Sequence, residues 1–259
     1  MRTASKVLTL LVIPAVGVAQ LSHSGSAFLF ASLPSSTQPA AMAALDAGFN
    51  ERAFEPVAGE RWEQRANAFL SLTSFVAVHG QLGFARTPTG ATHLAQQYEI
   101  LATPLARGAF SLGANVGWRR EYTGANVGLL RLVGARTTAR SSVAADALLE
   151  HPYAAGRDGL DVITTVGASR ALSSRVWLGV EAVGSDLEGL FDREEAEGGA
   201  TLLVGPTVAV GLAERWRLVV GGGPVLRVTN NATPMPMGVS PLTQQRSGYV
   251  LRTSLRVGW

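Results

Sequence analysis

The 259-residue chain has no cysteine, and its single lysine is Lys6. Without cysteine there is neither a disulfide framework nor a lipid-modified cysteine anchor. With one lysine near the start, every later cation is an arginine, and no basic tail or basic helix suggests nucleic acid, so no nucleic-acid partner is expected. Charge is sparse as well: 16% of residues are charged and the mean hydropathy is +0.19, high for a soluble protein but natural where an outer surface faces lipid. Yet no segment approaches the ~20 consecutive apolar residues that a spanning helix requires. A hydrophobic chain without hydrophobic runs must distribute its apolar residues periodically.

The N-terminus reads as an export signal. Arg2 and Lys6 form a positive region, residues 7–18 an apolar core, and Gly17-Val18-Ala19 places small residues where a signal peptidase cuts, with cleavage expected after Ala19. Removing Arg2 and Lys6 from the 22 basic residues leaves 20 against 19 acidic ones, so the mature chain is nearly neutral despite a sequence pI of about 9.8.

From about residue 66 the chain alternates with period two, in segments joined by short and long connections in turn. The clearest is Ala109 to Tyr122, with Phe110, Leu112, Ala114, Val116 and Trp118 opposing Ser111, Gly113, Asn115, Gly117 and Arg119. Later pairs turn through Ser173-Ser174 and Glu214-Arg215, whereas residues 188–199 and 230–246 form long loops. About ten strands are expected, with eight or twelve as alternatives. Asn67 to Val78, the first candidate, is apolar on both parities. Residues 20–65 fall outside the pattern and are expected to form a periplasmic lead-in, a plug or an additional strand, with Ala40 to Phe49 as amphipathic helical turns.

The final segment carries the most information. Tyr249, Leu251, Thr253, Leu255, Val257 and Trp259 share one face, and Val250, Arg252, Ser254, Arg256 and Gly258 share the other. A strand of this kind, ending on an aromatic and preceded by an export signal, resembles the closing strand of bacterial outer-membrane β-barrels. The resemblance covers about residues 1–19 and 66–259. It implies an all-β, antiparallel, up-and-down transmembrane barrel, and an assembly signal at Tyr249, Leu251, Leu255, Val257 and Trp259. The partners it implies are the barrel-assembly machinery, periplasmic chaperones, outer-membrane lipid and lipopolysaccharide, with the protein a monomer. A looser similarity is to small barrels proposed as uptake channels for hydrophobic compounds. A soluble β-sandwich is the competing fold, and it leaves Trp259 and the apolar exterior without a reason.

The inward parity collects Glu99, Arg119, Glu181, Arg217, Arg227, Arg252 and Arg256. Buried charges need partners, so these predict either an arginine–carboxylate network filling the lumen or an arginine-lined pore favouring anions. Asp186, Glu188, Asp192, Glu194, Glu195 and Glu197 make one loop acidic; its spacing matches no defined calcium loop, so it reads as a solvated loop and only secondarily as a divalent-cation site. His23, His79, His93 and His151 are the histidines, none within a His-x-Ser-Asn segment of the lipid-cleaving barrels, and no cofactor motif is present. No catalytic residue is assigned. The expected role is structural or interactive at the cell envelope; the alternatives are a passive channel for small anionic or hydrophobic solutes and, behind it, a lipid hydrolase.

Overall fold

The computed structural model describes residues 27–50, 62–86, 92–153, 160–185, 187, 200–228 and 247–259. The proposed signal peptide lies outside them. The strands are β1 (Ala41–Asn50), β2 (Trp62–Ser71), β3 (Val76–Arg86), β4 (Thr92–Arg107), β5 (Phe110–Arg120) and β6 (Asn126–Thr137), followed by β7 (Ser141–Pro152), β8 (Asp161–Ala171), β9 (Val176–Ser185), β10 (Ala200–Gly211), β11 (Trp216–Val228) and β12 (Ser247–Gly258). All pair antiparallel with their chain neighbours, and β1 pairs with β12, so twelve strands close into a barrel with no free edge. Closure is what a hydrocarbon environment demands, because it offers nothing to an unpaired backbone N–H or C=O.

Twelve is the upper of the expected counts, and the difference from ten has two local causes. The candidate strand Asn67 to Val78 is really the end of β2, the turn Leu72–Phe75 and the start of β3. A turn inside the segment reverses the parity, which explains its apolar residues on both faces. Ala41–Asn50, expected as helical turns, is β1, so the barrel begins at Ala41 and not near residue 66. Its four alanines favour a helix locally, but β1 pairs along its length with both β2 and β12, and those ladders override propensity.

Three of the short turns share one device. In Leu72–Phe75, Thr138–Arg140 and Leu172–Arg175, the hydroxyl of Thr73, Thr138 or Ser173 accepts the N–H of Val76, Ser141 or Val176 at 3.0–3.1 Å. This satisfies a donor that the ladder leaves open. The short turns mark the periplasmic end of a barrel of this type. Exposed Phe110, Trp216 and Trp259 ring that end, and Tyr249 and Trp118 lie toward the other. Trp177, whose parity conflicts with that belt, points inward and is 4% exposed.

Between Leu203 and Thr207 the β10–β11 register is interrupted and the two backbones approach closely. Gly205 sits against the carbonyl of Gly222, whose φ is +152°, and a β-carbon at Gly205 has no room there. Gly205→Ala is therefore expected to lower folded stability by about 1–3 kcal/mol, measured as a reduced urea midpoint. An unchanged midpoint would show that the two strands can separate at no cost.

Candidate functional site: the lumen and its internal arch

An eight-stranded barrel is just filled by its own side chains, so twelve strands enclose additional space. The chain before β1 enters that space. Ala27 is fully buried against Trp177, Ala209 and Val219 near the short-turn end, and Phe30 packs against an apolar group including Val127, Leu148, Ile163, Val183 and Val225 toward the opposite end. The chain then returns, through a single 3-10 turn at Ser35–Thr37, to Ala41 at the start of β1. Residues 27–40 thus form an arch that rises from the periplasmic end and descends again.

Glu181 holds the apex. It is 1% exposed, and its carboxylate accepts the backbone N–H of Leu29 at 2.8 Å, Phe30 at 2.9 Å and Ala31 at 2.7 Å. Three successive N–H groups converging on one anion form a backbone nest, and the pairing satisfies donors that the arch cannot place in a ladder. Asp146 accepts Ser32 N–H at 2.9 Å, Arg256 donates to the Phe28 carbonyl at 2.7 Å, and the Ser35 and Thr103 hydroxyls are 2.8 Å apart. Phe28, 2% exposed, packs against Gly167, where a β-carbon would strike the ring. The guanidinium of Arg252 lies 5.1 Å from the centroid of the Phe30 ring.

The remaining charges sort into clusters. Arg119 donates twice to Glu150, at 2.7 and 2.6 Å, and once to Glu121 at 3.1 Å. Arg131 pairs with Asp146 at 2.7 Å and lies 3.9 Å from Glu99, which is also 3.7 Å from His79 Nδ1. Arg65 forks onto Glu63 at 2.8 Å per bond, the Tyr122 hydroxyl donates to Glu63 at 2.6 Å, and Arg252 approaches it at 3.8 Å.

Of the residues singled out in sequence, Glu99, Arg119, Glu181, Arg217, Arg252 and Arg256 all stand on inward-facing positions, but they do not form one cluster. Glu181 meets backbone amides of the arch where an arginine pair was expected. Arg227 lies on β11, facing Thr201 in register. Glu63, Arg65, Asp146, Glu150 and Arg131 were not foreseen. The acidic loop residues Asp186, Glu188, Asp192, Glu194, Glu195 and Glu197 lie outside the described residues. Tyr249, Leu251, Leu255 and Val257 share the outer parity of β12, with Trp259 just beyond it.

His79 and His93 stand opposite Glu99 and Ala85 in the β3–β4 ladder, about 20 Å apart along it. His151 is exposed beside Tyr153. Among the described residues, no group of His, Asp and Glu is arranged to hold a metal ion.

A cavity of about 270 Å³ remains beside the arch. Its polar wall carries Arg65, Asn67, Gln81, Gln97 and Arg131, and its apolar wall Phe30, Leu148, Ile163 and Val183. Its charged lining is Arg65, Arg119, Arg131, Arg252 and Arg256 with Asp46, Glu99 and Glu150, and Glu63, Glu121 and Asp146 also pair with these arginines.

No family model matches the sequence, and no curated protein does. Solved structures do match. A KdgM porin superposes with a TM-score of 0.59 at 9% identity, covering 84% of this chain and 99% of the porin. The KdgM porin in complex with disordered oligogalacturonate gives 0.58 at 9% identity, covering 85% and 99%. An outer membrane channel from Pseudomonas putida F1 gives 0.56 at 11% identity, covering 88% and 97%. The chain has the fold of bacterial outer-membrane porins and channels.

Proposed function

We propose that this protein is a passive channel of the bacterial outer membrane for small anionic solutes, with the arch as its constriction. The observation that carries the reading is the cavity left beside the arch, a polar space lined by Arg65, Arg131 and Arg252 together with Asn67, Gln81 and Gln97. A barrel whose only role was to present its loops would gain nothing from a polar space in its interior. Guanidinium groups on the wall of that space favour anions passing close to them, where the low-dielectric barrel focuses the field. The porin and channel fold supports the same reading over an interaction barrel.

The test is single-channel recording in planar bilayers, with heat-modifiable gel mobility as the control for a folded barrel. Discrete steps are expected, with a reversal potential in a salt gradient displaced toward that of chloride. Replacing both Arg65 and Arg252 by glutamine should move it back toward zero. A folded barrel that stays silent even after removal of residues 27–38 would refute the channel.

A further inference from the structure

Among the described residues, six of the seven exposed arginines gather at one end, Arg120 being the exception. Arg107, Arg136, Arg140, Arg170, Arg175 and Arg215 are all exposed, and all lie in the short turns or in the last residues of strands that lead into them. Among the described residues none of the six forms an ion pair, and Glu214 is the one acidic side chain in those turns. Three of them, Arg107, Arg136 and Arg170, stand on the outer parity of β4, β6 and β8, the face that carries Leu105, Leu132 and Val166. Their neighbours are the apolar residues of the interface: Phe110, 62% exposed, with Leu112 and Leu172.

Arg107, Phe110 and Arg136 lie side by side across three adjacent strands. Arg136 holds its guanidinium 5.5 Å from the Phe110 ring centroid, on the outside of the barrel. Two strand spacings put Arg107 and Arg136 about 10 Å apart at the backbone, a gap that two arginine side chains can close around one phosphate. The exposed aromatic between them suits the acyl–headgroup boundary. Guanidinium is also the cation that forks onto phosphate oxygens.

We infer that the periplasmic rim is a binding site for anionic phospholipid, with Arg107 and Arg136 gripping one headgroup phosphate over Phe110 and Arg140 and Arg170 extending the belt. The outward parity and the apolar surroundings select a lipid over a periplasmic protein, which would meet the turns from below. The site rests on the outer-membrane reading of the barrel but not on its conducting anything.

The test uses the full chain folded in mild non-ionic detergent, mixed with phosphatidylglycerol or phosphatidylcholine, with retained lipid counted by native mass spectrometry. Phosphatidylglycerol should be retained in preference. Each arginine near an anionic lipid surface contributes about a fivefold factor, so Arg107→Gln with Arg136→Gln should weaken retention about 25-fold. Arg120→Gln, which removes an exposed arginine at the opposite end of β5, should leave it unchanged. Arg136→Lys should lose less than Arg136→Gln, because it keeps the charge and loses only the fork. Equal retention of the two lipids, no effect of the double variant, or an equal loss in Arg120→Gln would overturn the site. Displacement of the lipid by millimolar inorganic phosphate would also overturn it, since a simple anion site needs no acyl chain. A silent channel would leave all these outcomes readable.

Discussion

Glu181→Gln should release the arch and raise both the conductance and its fluctuations. In the wild-type protein one carboxylate oxygen accepts the N–H of Phe30 and Ala31, and the other accepts that of Leu29. Glutamine keeps one oxygen, so two bonds survive as neutral ones. Its amide nitrogen then faces a backbone N–H, donor against donor, in a position that is 1% exposed. Loss of charge assistance together with one stranded donor costs about 2–4 kcal/mol. Because 1.4 kcal/mol is a factor of ten, the undocked population should rise by roughly 30- to 700-fold. The absence of cysteine makes this measurable, since Ala31→Cys carries the only thiol. Its labelling by a water-soluble reagent should accelerate when Glu181→Gln is added, in step with the conductance change. Equal labelling rates and identical current traces in the two proteins would mean that apolar packing of Phe28 and Phe30 holds the arch without Glu181.

The barrel was legible in sequence wherever a strand buries one face and exposes the other to lipid, because period two then has no competitor. In β5 and β12 the assigned inward and outward residues are those of the structure. Legibility failed where other constraints compete. In β1, Ala41, Ala43, Ala44 and Ala47 supply neither a greasy nor a polar face, and helix propensity reads more clearly than alternation. In β2 and β3 the turn at Leu72–Phe75 has no glycine or proline, being held by the Thr73 hydroxyl, so the two strands fuse when read as one string.

Much less of the site was visible. Parity says that Glu181 points inward; it does not say that a segment some 150 residues earlier supplies the partner. Arg131 and Asp146 were missed for a related reason: the inward faces of β6 and β7 also carry Val127, Leu129, Val133, Ala144 and Leu148, so charge and apolarity share one parity. That mixing is itself a consequence of the arch. The lumen surface against which Phe28 and Phe30 pack is covered by protein and can be apolar, whereas the cavity wall that carries Arg65, Asn67, Gln81 and Gln97 is left uncovered and is polar.

The same distinction separates arginines that hold the barrel together from those that face a solute. Arg119 belongs to the first kind. It is 7% exposed, and its neighbours Glu121 and Glu150 are each 2% exposed. Arg119→Leu would leave two carboxylates close together in a poorly solvated place with their shared cation gone, a change expected to destabilise the barrel by about 3–5 kcal/mol. The urea midpoint should fall accordingly. Replacing Glu150 by leucine as well should recover part of the loss, because the second substitution removes one of the stranded charges. The difference between the double variant and the sum of the singles then measures the pair directly. Arg252→Gln, which lines the cavity, should change ion selectivity with little effect on that midpoint. If Arg119→Leu shifted selectivity while the midpoint stayed in place, Arg119 would belong with the residues that meet the solute. The buried fork onto Glu150 would then be a resting arrangement that the open channel gives up.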